Sequence, residues 1–133
     1  LFGLENNADD LIDSFSHGMK QKIALTGALI HDPTLLILDE PTVGLDPKSA
    51  RLIKDILRQL ATRGVTIILS THILEIAERM CDRIGIIARG ELVAVGTMDE
   101  LRAGDGLDSR SLEDIFLQLT GGAEYAEIAA VLG

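Results

Sequence analysis

Two adjacent carboxylates, Asp39 and Glu40, follow the apolar run Leu35 to Leu38. Such a run is typical of a parallel strand buried on both faces, and open α/β folds bind ligands at the carboxyl ends of their strands. An aspartate there can hold Mg²⁺ through water, and a neighbouring glutamate can orient and deprotonate a water that attacks a γ-phosphate. Taken alone, the pair equally fits two acids that cap the next loop or face solvent.

A histidine and a serine are further candidates for phosphate contacts. His72 follows the β-branched run Val65 to Leu69 and can donate a hydrogen bond to a γ-phosphate. Ser16 lies at the amino end of a helix predicted to begin near Met19, where free N–H groups and the helix dipole favour a phosphate. By itself, Ser16 is better explained as an ordinary N-cap, and a lone histidine at a helix start is more often a surface or capping residue.

The surrounding elements alternate between strand and helix. Asp46 followed by Pro47 predicts the start of an amphipathic helix that ends at Gly64. Thr97 and Glu100 form a capping box that opens a short helix. The predicted strands cover residues 35–38, 65–69, 84–88 and 92–95, with the last two in an antiparallel hairpin, and a further helix covers residues 73–81. This order predicts an α/β fold with a mostly parallel sheet and flanking helices.

Composition excludes several classes of protein. The net charge of −9 and the pI near 4.6 argue against nucleic-acid binding, because phosphate backbones repel carboxylates, and the sequence has no basic stripe. The single cysteine, Cys81, cannot form an internal disulfide and suits a reducing, cytoplasmic compartment. No apolar run approaches the length that crosses a bilayer.

Three motifs resemble those of one family. The string Leu35 to Pro47, LLILDEPTVGLDP, closely resembles the Walker B segment and D-loop of ATP-binding-cassette (ABC) domains. Ser14 to Lys22, SFSHGMKQK, resembles the signature motif, although His17-Gly18 replaces the common double glycine and Met19 the usual glutamine. Leu69-Ser70-Thr71-His72 resembles the switch loop. Arg89-Gly90-Glu91 and Leu112 to Phe116 resemble more weakly the ends of cassettes that serve two-component exporters.

The resemblance implies a partial P-loop NTPase fold that uses ATP and Mg²⁺ within a transport ATPase. Under it, Asp39 positions Mg²⁺, Glu40 activates water, His72 holds the γ-phosphate, and Asp46 couples two sites. Ser16, His17, Gly18 and Met19 close over the nucleotide of a second cassette, in a dimer that docks on a membrane permease at the cytoplasmic face. It also implies that residues 35–38 pair in parallel with residues 66–69, and that Ser16 lies away from Glu40.

The sequence has no Gly-x-x-x-x-Gly-Lys-Ser/Thr segment, and it opens with Leu1. We therefore expect the chain to begin inside the helical subdomain of a longer ATPase and to be inactive alone. Residues 1–103 are predicted as the carboxyl part of the cassette, with residues 1–31 ending its helical subdomain, and residues 104–133 as a helical extension after a linker at Gly104 to Gly106. Two alternatives remain: a cassette that acts outside transport, and a non-catalytic interaction fragment.

Overall fold

The computed structural model describes residues 3–103 and 110–121, and its elements follow the predicted alternation. Two short 3₁₀ helices, Glu5–Asn7 and Ile12–Ser14, come first. The elements after them are α1 (His17–Leu29), β1 (Leu35–Asp39), α2 (Pro47–Thr62), β2 (Thr66–Ser70), α3 (Leu74–Met80), β3 (Ile84–Ala88), β4 (Glu91–Gly96), α4 (Met98–Ala103) and α5 (Leu112–Thr120). The predicted linker and residues 122–133 of the predicted helical extension lie outside the described residues, and the boundary at residue 103 stays a prediction.

The chain forms two compact units, residues 1–72 and residues 73–133. In the first unit β1 and β2 pair in parallel, with Leu36 opposite Ile67 and Asp39 opposite Ser70. This confirms the predicted parallel pairing. The register aligns the carboxyl ends of the two strands, so the residues that follow them lie at the same edge of the sheet.

Helix α2 is the longest described helix and begins where the sequence predicts. The Asp46 side chain accepts a hydrogen bond from the Ser49 N–H at 3.0 Å, and Pro47 occupies the first turn, where it has no N–H to leave unpaired. Gly64, with φ of +93°, follows the carboxyl end in a left-handed conformation that glycine adopts without strain. The helix buries Ile53 and Leu57, which are 1% and 2% exposed.

One face of the β1–β2 sheet is open to solvent. Leu36 is buried, but Leu35, Ile37 and Ile68 are 47%, 70% and 54% exposed. The prediction that the strand at residues 35–38 is buried on both faces is therefore wrong for this chain. Side chains alternate between the faces of a strand, so these three exposed side chains lie on the same face of the sheet.

The second unit is built around the antiparallel hairpin of β3 and β4. Arg89 and Gly90 turn the chain with φ of +51° and +82°, the sign that tight two-residue hairpin turns require. The core consists of Ile84, Ile86, Leu112 and Ile115. Burial of Leu112 and Ile115 shows that the apolar side chains of α5 pack inside this unit.

Two polar features organise the helices of the second unit. Thr97 and Glu100 form the predicted capping box, with reciprocal bonds of 2.8 and 3.2 Å. Arg102 forms a 2.8 Å ion pair with Glu78, whose other carboxylate oxygen accepts the Leu112 N–H at 3.3 Å. The pair thus joins α3, α4 and the start of α5. Across the described part of the chain, no helix combines the length and apolarity needed to span a membrane.

We predict that Leu57→Ala lowers the free energy of unfolding by about 2–5 kcal/mol, because the truncation leaves a cavity beneath α2. Leu52→Ala is the matched control, since the same atoms are removed from a side chain that is 37% exposed. It should cost about 1 kcal/mol or less. Urea unfolding of the 133-residue chain, followed by circular dichroism, measures both. Equal losses would contradict the described packing of α2.

We also predict that Asp114 contributes an acid-sensitive part of the stability. Its hydrogen bonds with the side chain and N–H of Ser111 hold the pKa of the Asp114 carboxyl below its ordinary value. A carboxyl whose pKa is lowered by folding stabilises the folded state fully at pH values above its unfolded pKa, about 3.9. This stabilisation is lost as the pH falls through the pKa of the folded state.

Asp114→Asn should therefore be less stable than the original chain at pH 7 and should lose less stability between pH 5 and pH 2. Urea midpoints across this range test it. Glu113→Gln is the control, because Glu113 lies in the same turn but outside the capping box. An unaltered acid slope in Asp114→Asn would show that the cap does not titrate as described.

Candidate functional site

The carboxyl ends of β1 and β2 bring the predicted acids and histidine together. Asp39 and Ser70 end the two strands opposite each other, and the Ser70 hydroxyl donates a hydrogen bond to Asp39 Oδ1. The pairing continues one residue further, since the Glu40 N–H donates to the Ser70 carbonyl at 3.0 Å. His72 follows Ser70 by two residues and so reaches the Glu40 side chain.

Glu40 and His72 form a close pair. The main-chain N–H of His72 donates to Glu40 Oε1 at 2.9 Å, and His72 Nδ1 lies 2.5 Å from the same oxygen. The hydrogen bond from the His72 side chain holds the pKa of the Glu40 carboxyl below its ordinary value, while burial acts in the opposite direction. The imidazole is 74% exposed, so its outer edge faces solvent.

The second carboxylate oxygen of Glu40 has a different environment. Oε2 is buried. Among the buried side-chain nitrogen and oxygen atoms of the described residues, it alone has no hydrogen-bond partner. Buried polar atoms are nearly always bonded, so an orphan acceptor marks a place where a donor such as water is expected. Glu40 therefore has one oxygen bound to His72 and a second, buried oxygen without a hydrogen-bond partner among the described residues.

The main chain of Glu40 adopts a left-handed conformation, with φ of +45°. This conformation is uncommon for a residue with a side chain, and the following Pro41 restricts Glu40 further. Glu40 is held by hydrogen bonds to its main chain: its N–H is bonded to Ser70, and its carbonyl accepts the Val43 N–H at 3.3 Å and Gln21 Nε2 at 3.2 Å. Gln21 has no local sequence signal for this contact, because it lies 19 positions from Glu40.

The segment Ser16 to Met19 packs against the loop before α2. Ser16 caps α1 by accepting the Met19 N–H at 3.3 Å. The His17 ring lies over Gly44, where a Cβ would come within 2.7 Å of the ring, and a Cβ on Gly18 would lie 3.3 Å from Leu45. Among the described hydrogen bonds, none joins Ser16 to Glu40. The predicted contact of this segment with a phosphate stays a prediction.

Asp46 and Asp39 have structural partners, and their predicted roles in coupling two sites and in positioning Mg²⁺ stay predictions. Two hydrogen bonds from Ser49 hold the pKa of the Asp46 carboxyl below its ordinary value, so Asp46 caps α2 as an anion. Asp39 is exposed at the sheet edge. Within residues 3–103 and 110–121, no cluster of three or more His, Cys, Asp or Glu side chains could enclose a metal ion.

Comparison with known proteins identifies the family. Residues 5–78, more than half of the chain, match the family described as "AAA domain, putative AbiEii toxin, Type IV TA system". The linearmycin resistance ATP-binding protein LnrL of Bacillus subtilis is 45% identical over 97% of the chain. The Nod factor export ATP-binding protein I of Rhizobium meliloti is 54% identical over 70% of it. The chain spans only 40% and 28% of these two relatives.

Two solved structures resemble the fold. One is the ATP-binding subunit of an ABC transporter, with a TM-score of 0.77 and 40% identity over 80% of this chain and 45% of that one. The other is a dimeric ATP-binding cassette in a post-hydrolysis state bound to ADP and Pi, with a TM-score of 0.65 and 28% identity over 70% of this chain and 40% of that one. By these matches, the chain belongs to the AAA-domain family and, through its relatives, to the ATP-binding proteins of ABC transporters.

Proposed function

We propose that the protein containing this chain binds and hydrolyses ATP as the ATP-binding subunit of an ABC transporter. The observation that carries the proposal is the pairing of Glu40 with His72 at the end of a parallel sheet, with Glu40 Oε2 buried and unpartnered. Such a carboxylate can orient a water molecule and accept its proton, which is the task of a general base in phosphoryl transfer.

Each residue has a distinct role in the proposed reaction. Glu40 Oε2 orients the attacking water and accepts its proton, while the hydrogen bond to Oε1 keeps the carboxylate in place. His72 holds Glu40 through Nδ1 and presents its exposed outer edge to the γ-phosphate. Asp46 couples this site to the second one, as an anion in the loop that also carries Gly44.

The residues at the sheet edge fit Mg²⁺. This ion usually takes one or two protein carboxylates and completes its shell with water and phosphate oxygens, so a single exposed Asp39 is a sufficient protein ligand. Ser70 bonds Asp39 Oδ1 and fixes the orientation of the carboxylate. When bound, Mg²⁺ would neutralise the charge that develops on the phosphates.

The remaining partners are a second cassette and a membrane permease. Ser16, His17, Gly18 and Met19 would close over the nucleotide bound by the second cassette, most simply a second copy. The dimeric form of the similar cassette bound to ADP and Pi supports this arrangement. The relatives are named for linearmycin resistance and for Nod factor export, and these names favour an exporter that works from the cytoplasmic face of a membrane.

We predict that Glu40→Gln in the complete protein keeps ATP binding but lowers the rate of hydrolysis by about 10²–10⁴-fold, because an amide preserves the shape but cannot accept the proton. Steady-state phosphate release and equilibrium nucleotide binding measure the two effects. The control is Glu75→Gln, since Glu75 forms an exposed ion pair with Arg79 on α3. Unchanged hydrolysis in Glu40→Gln would remove Glu40 from the mechanism.

We also predict that the 133-residue chain alone binds Mg-ATP weakly and releases no phosphate above background. It retains the proposed base, but its sequence contains no glycine-rich loop and lysine to hold the β- and γ-phosphates. The complete protein, assayed at the same molar concentration, is the comparison. Hydrolysis by the chain at a rate similar to that of the complete protein would contradict this reading. No hydrolysis in either sample would favour a non-catalytic role.

A further inference from the structure

We propose that Gln21 is a positioning residue for Glu40, acting through the hydrogen bond from its side-chain amide to the Glu40 carbonyl. The inference rests on the proposed function, because it assigns Gln21 a part in the hydrolysis attributed to Glu40. Gln21 lies on α1, and its Nε2 is 3.2 Å from the Glu40 oxygen in a partly buried position.

Glu40 needs support because its main chain is strained. Its φ is +45°, and it precedes Pro41, two conditions that few residues with side chains tolerate. The direction of the Cα–Cβ bond, and so the aim of the carboxylate at His72, depends on keeping this conformation. Ser70 fixes the peptide before Glu40, and Gln21 and Val43 fix the peptide after it.

The bond from Gln21 is not needed only to give the Glu40 carbonyl a partner. The Glu40 oxygen already accepts the Val43 N–H at 3.3 Å, within the turn that follows β1. A carbonyl can accept a second bond, and Gln21 supplies it from a different element. The turn bond is local and moves with the loop, whereas the Gln21 bond fixes the loop relative to α1.

The position of Gln21 on α1 gives this contact a mechanistic meaning. Ser16 caps the same helix, and Gln21 follows it by little more than one turn. A displacement of the amino end of α1 is therefore transmitted to the Glu40 carbonyl through the Gln21 side chain, in addition to the packing of His17 against Gly44. The segment that is proposed to meet the partner's nucleotide is thus joined to the proposed base in its own chain.

Three variants separate positioning from general stability. Gln21→Leu removes the donor while keeping a side chain of similar size, and Gln21→Glu replaces the donor with an acceptor that faces the carbonyl. The matched control is Gln59→Leu, the same substitution at an exposed position of α2. If Gln21→Leu folds poorly, the polar Gln21→Glu variant still tests the missing donor.

The first experiment uses the 133-residue chain and requires no hydrolysis. In ¹H–¹⁵N spectra, both Gln21 variants should shift the amide signals of Glu40 and His72, because the His72 N–H is bonded to the Glu40 side chain. Gln59→Leu should leave these two signals in place. Unshifted signals in both Gln21 variants would overturn the proposal.

The second experiment measures ATP hydrolysis by the complete protein. The kcat of Gln21→Leu should fall about tenfold, the effect expected when one orienting hydrogen bond is lost, and that of Gln21→Glu at least as much. The KM for ATP should stay within about twofold, since Gln21 is not expected to touch the nucleotide. Parallel losses in kcat and in thermal stability, or an unchanged kcat, would overturn the positioning role.

The proposed function can fail separately. If Glu40→Gln leaves hydrolysis unchanged while the amide signals of Glu40 and His72 shift in the Gln21 variants, the contact exists but Glu40 is not the base. That result overturns the role of Gln21 in hydrolysis together with the proposed mechanism. If Glu40→Gln abolishes hydrolysis and Gln21→Leu does not slow it, only the inference about Gln21 fails.

Discussion

The parallel register between β1 and β2 is the constraint on which the candidate site depends. It sets Asp39 opposite Ser70, and the Glu40 N–H extends the pairing by one further bond to the Ser70 carbonyl. A shift of one residue would exchange the two faces of the strand and move the carboxylates away from His72. Main-chain hydrogen bonds therefore set the positions of the residues at this edge of the sheet.

The short loop between β1 and α2 is held by its own hydrogen bonds at the end of the paired strands. Its hydrogen bonds run from Val43 to Glu40 and from Leu45 to Thr42, and the Thr42 side chain is buried. Gly44 provides the positive φ that lets the chain turn beneath His17. Asp46 then ends the loop and starts α2 with one carboxylate, so the loop has little freedom to move its acids independently.

Local sequence patterns predicted the elements and their caps. The pair Asp46-Pro47 marked the start of α2, Thr97 and Glu100 marked the start of α4, and the motifs placed Glu40 and His72 after neighbouring strands. These features depend on residues close in sequence or on a resemblance that preserves their order. The roles of the site residues in catalysis stay predictions, because the geometry describes their contacts and not a reaction.

Those local patterns do not predict contacts between residues that are far apart in sequence. The bond from Gln21 to Glu40 and the ion pair of Glu78 with Arg102 join residues 19 and 24 positions apart, and neither has a local signal. The apolar run also does not predict that Leu35 and Ile37 are exposed. Apolar runs predict strands that prefer burial, but whether a face is covered depends on which other elements are present to pack against it.

The open face of the β1–β2 sheet has a consequence for handling the chain in solution. Leu35, Ile37 and Ile68 present apolar side chains on one side of two strands that, among the described residues, pair only with each other. Apolar surfaces attract one another less at low temperature, because the hydrophobic effect weakens on cooling. Self-association of the 133-residue chain should therefore grow with warming and with concentration, and cold, dilute buffers should favour single molecules.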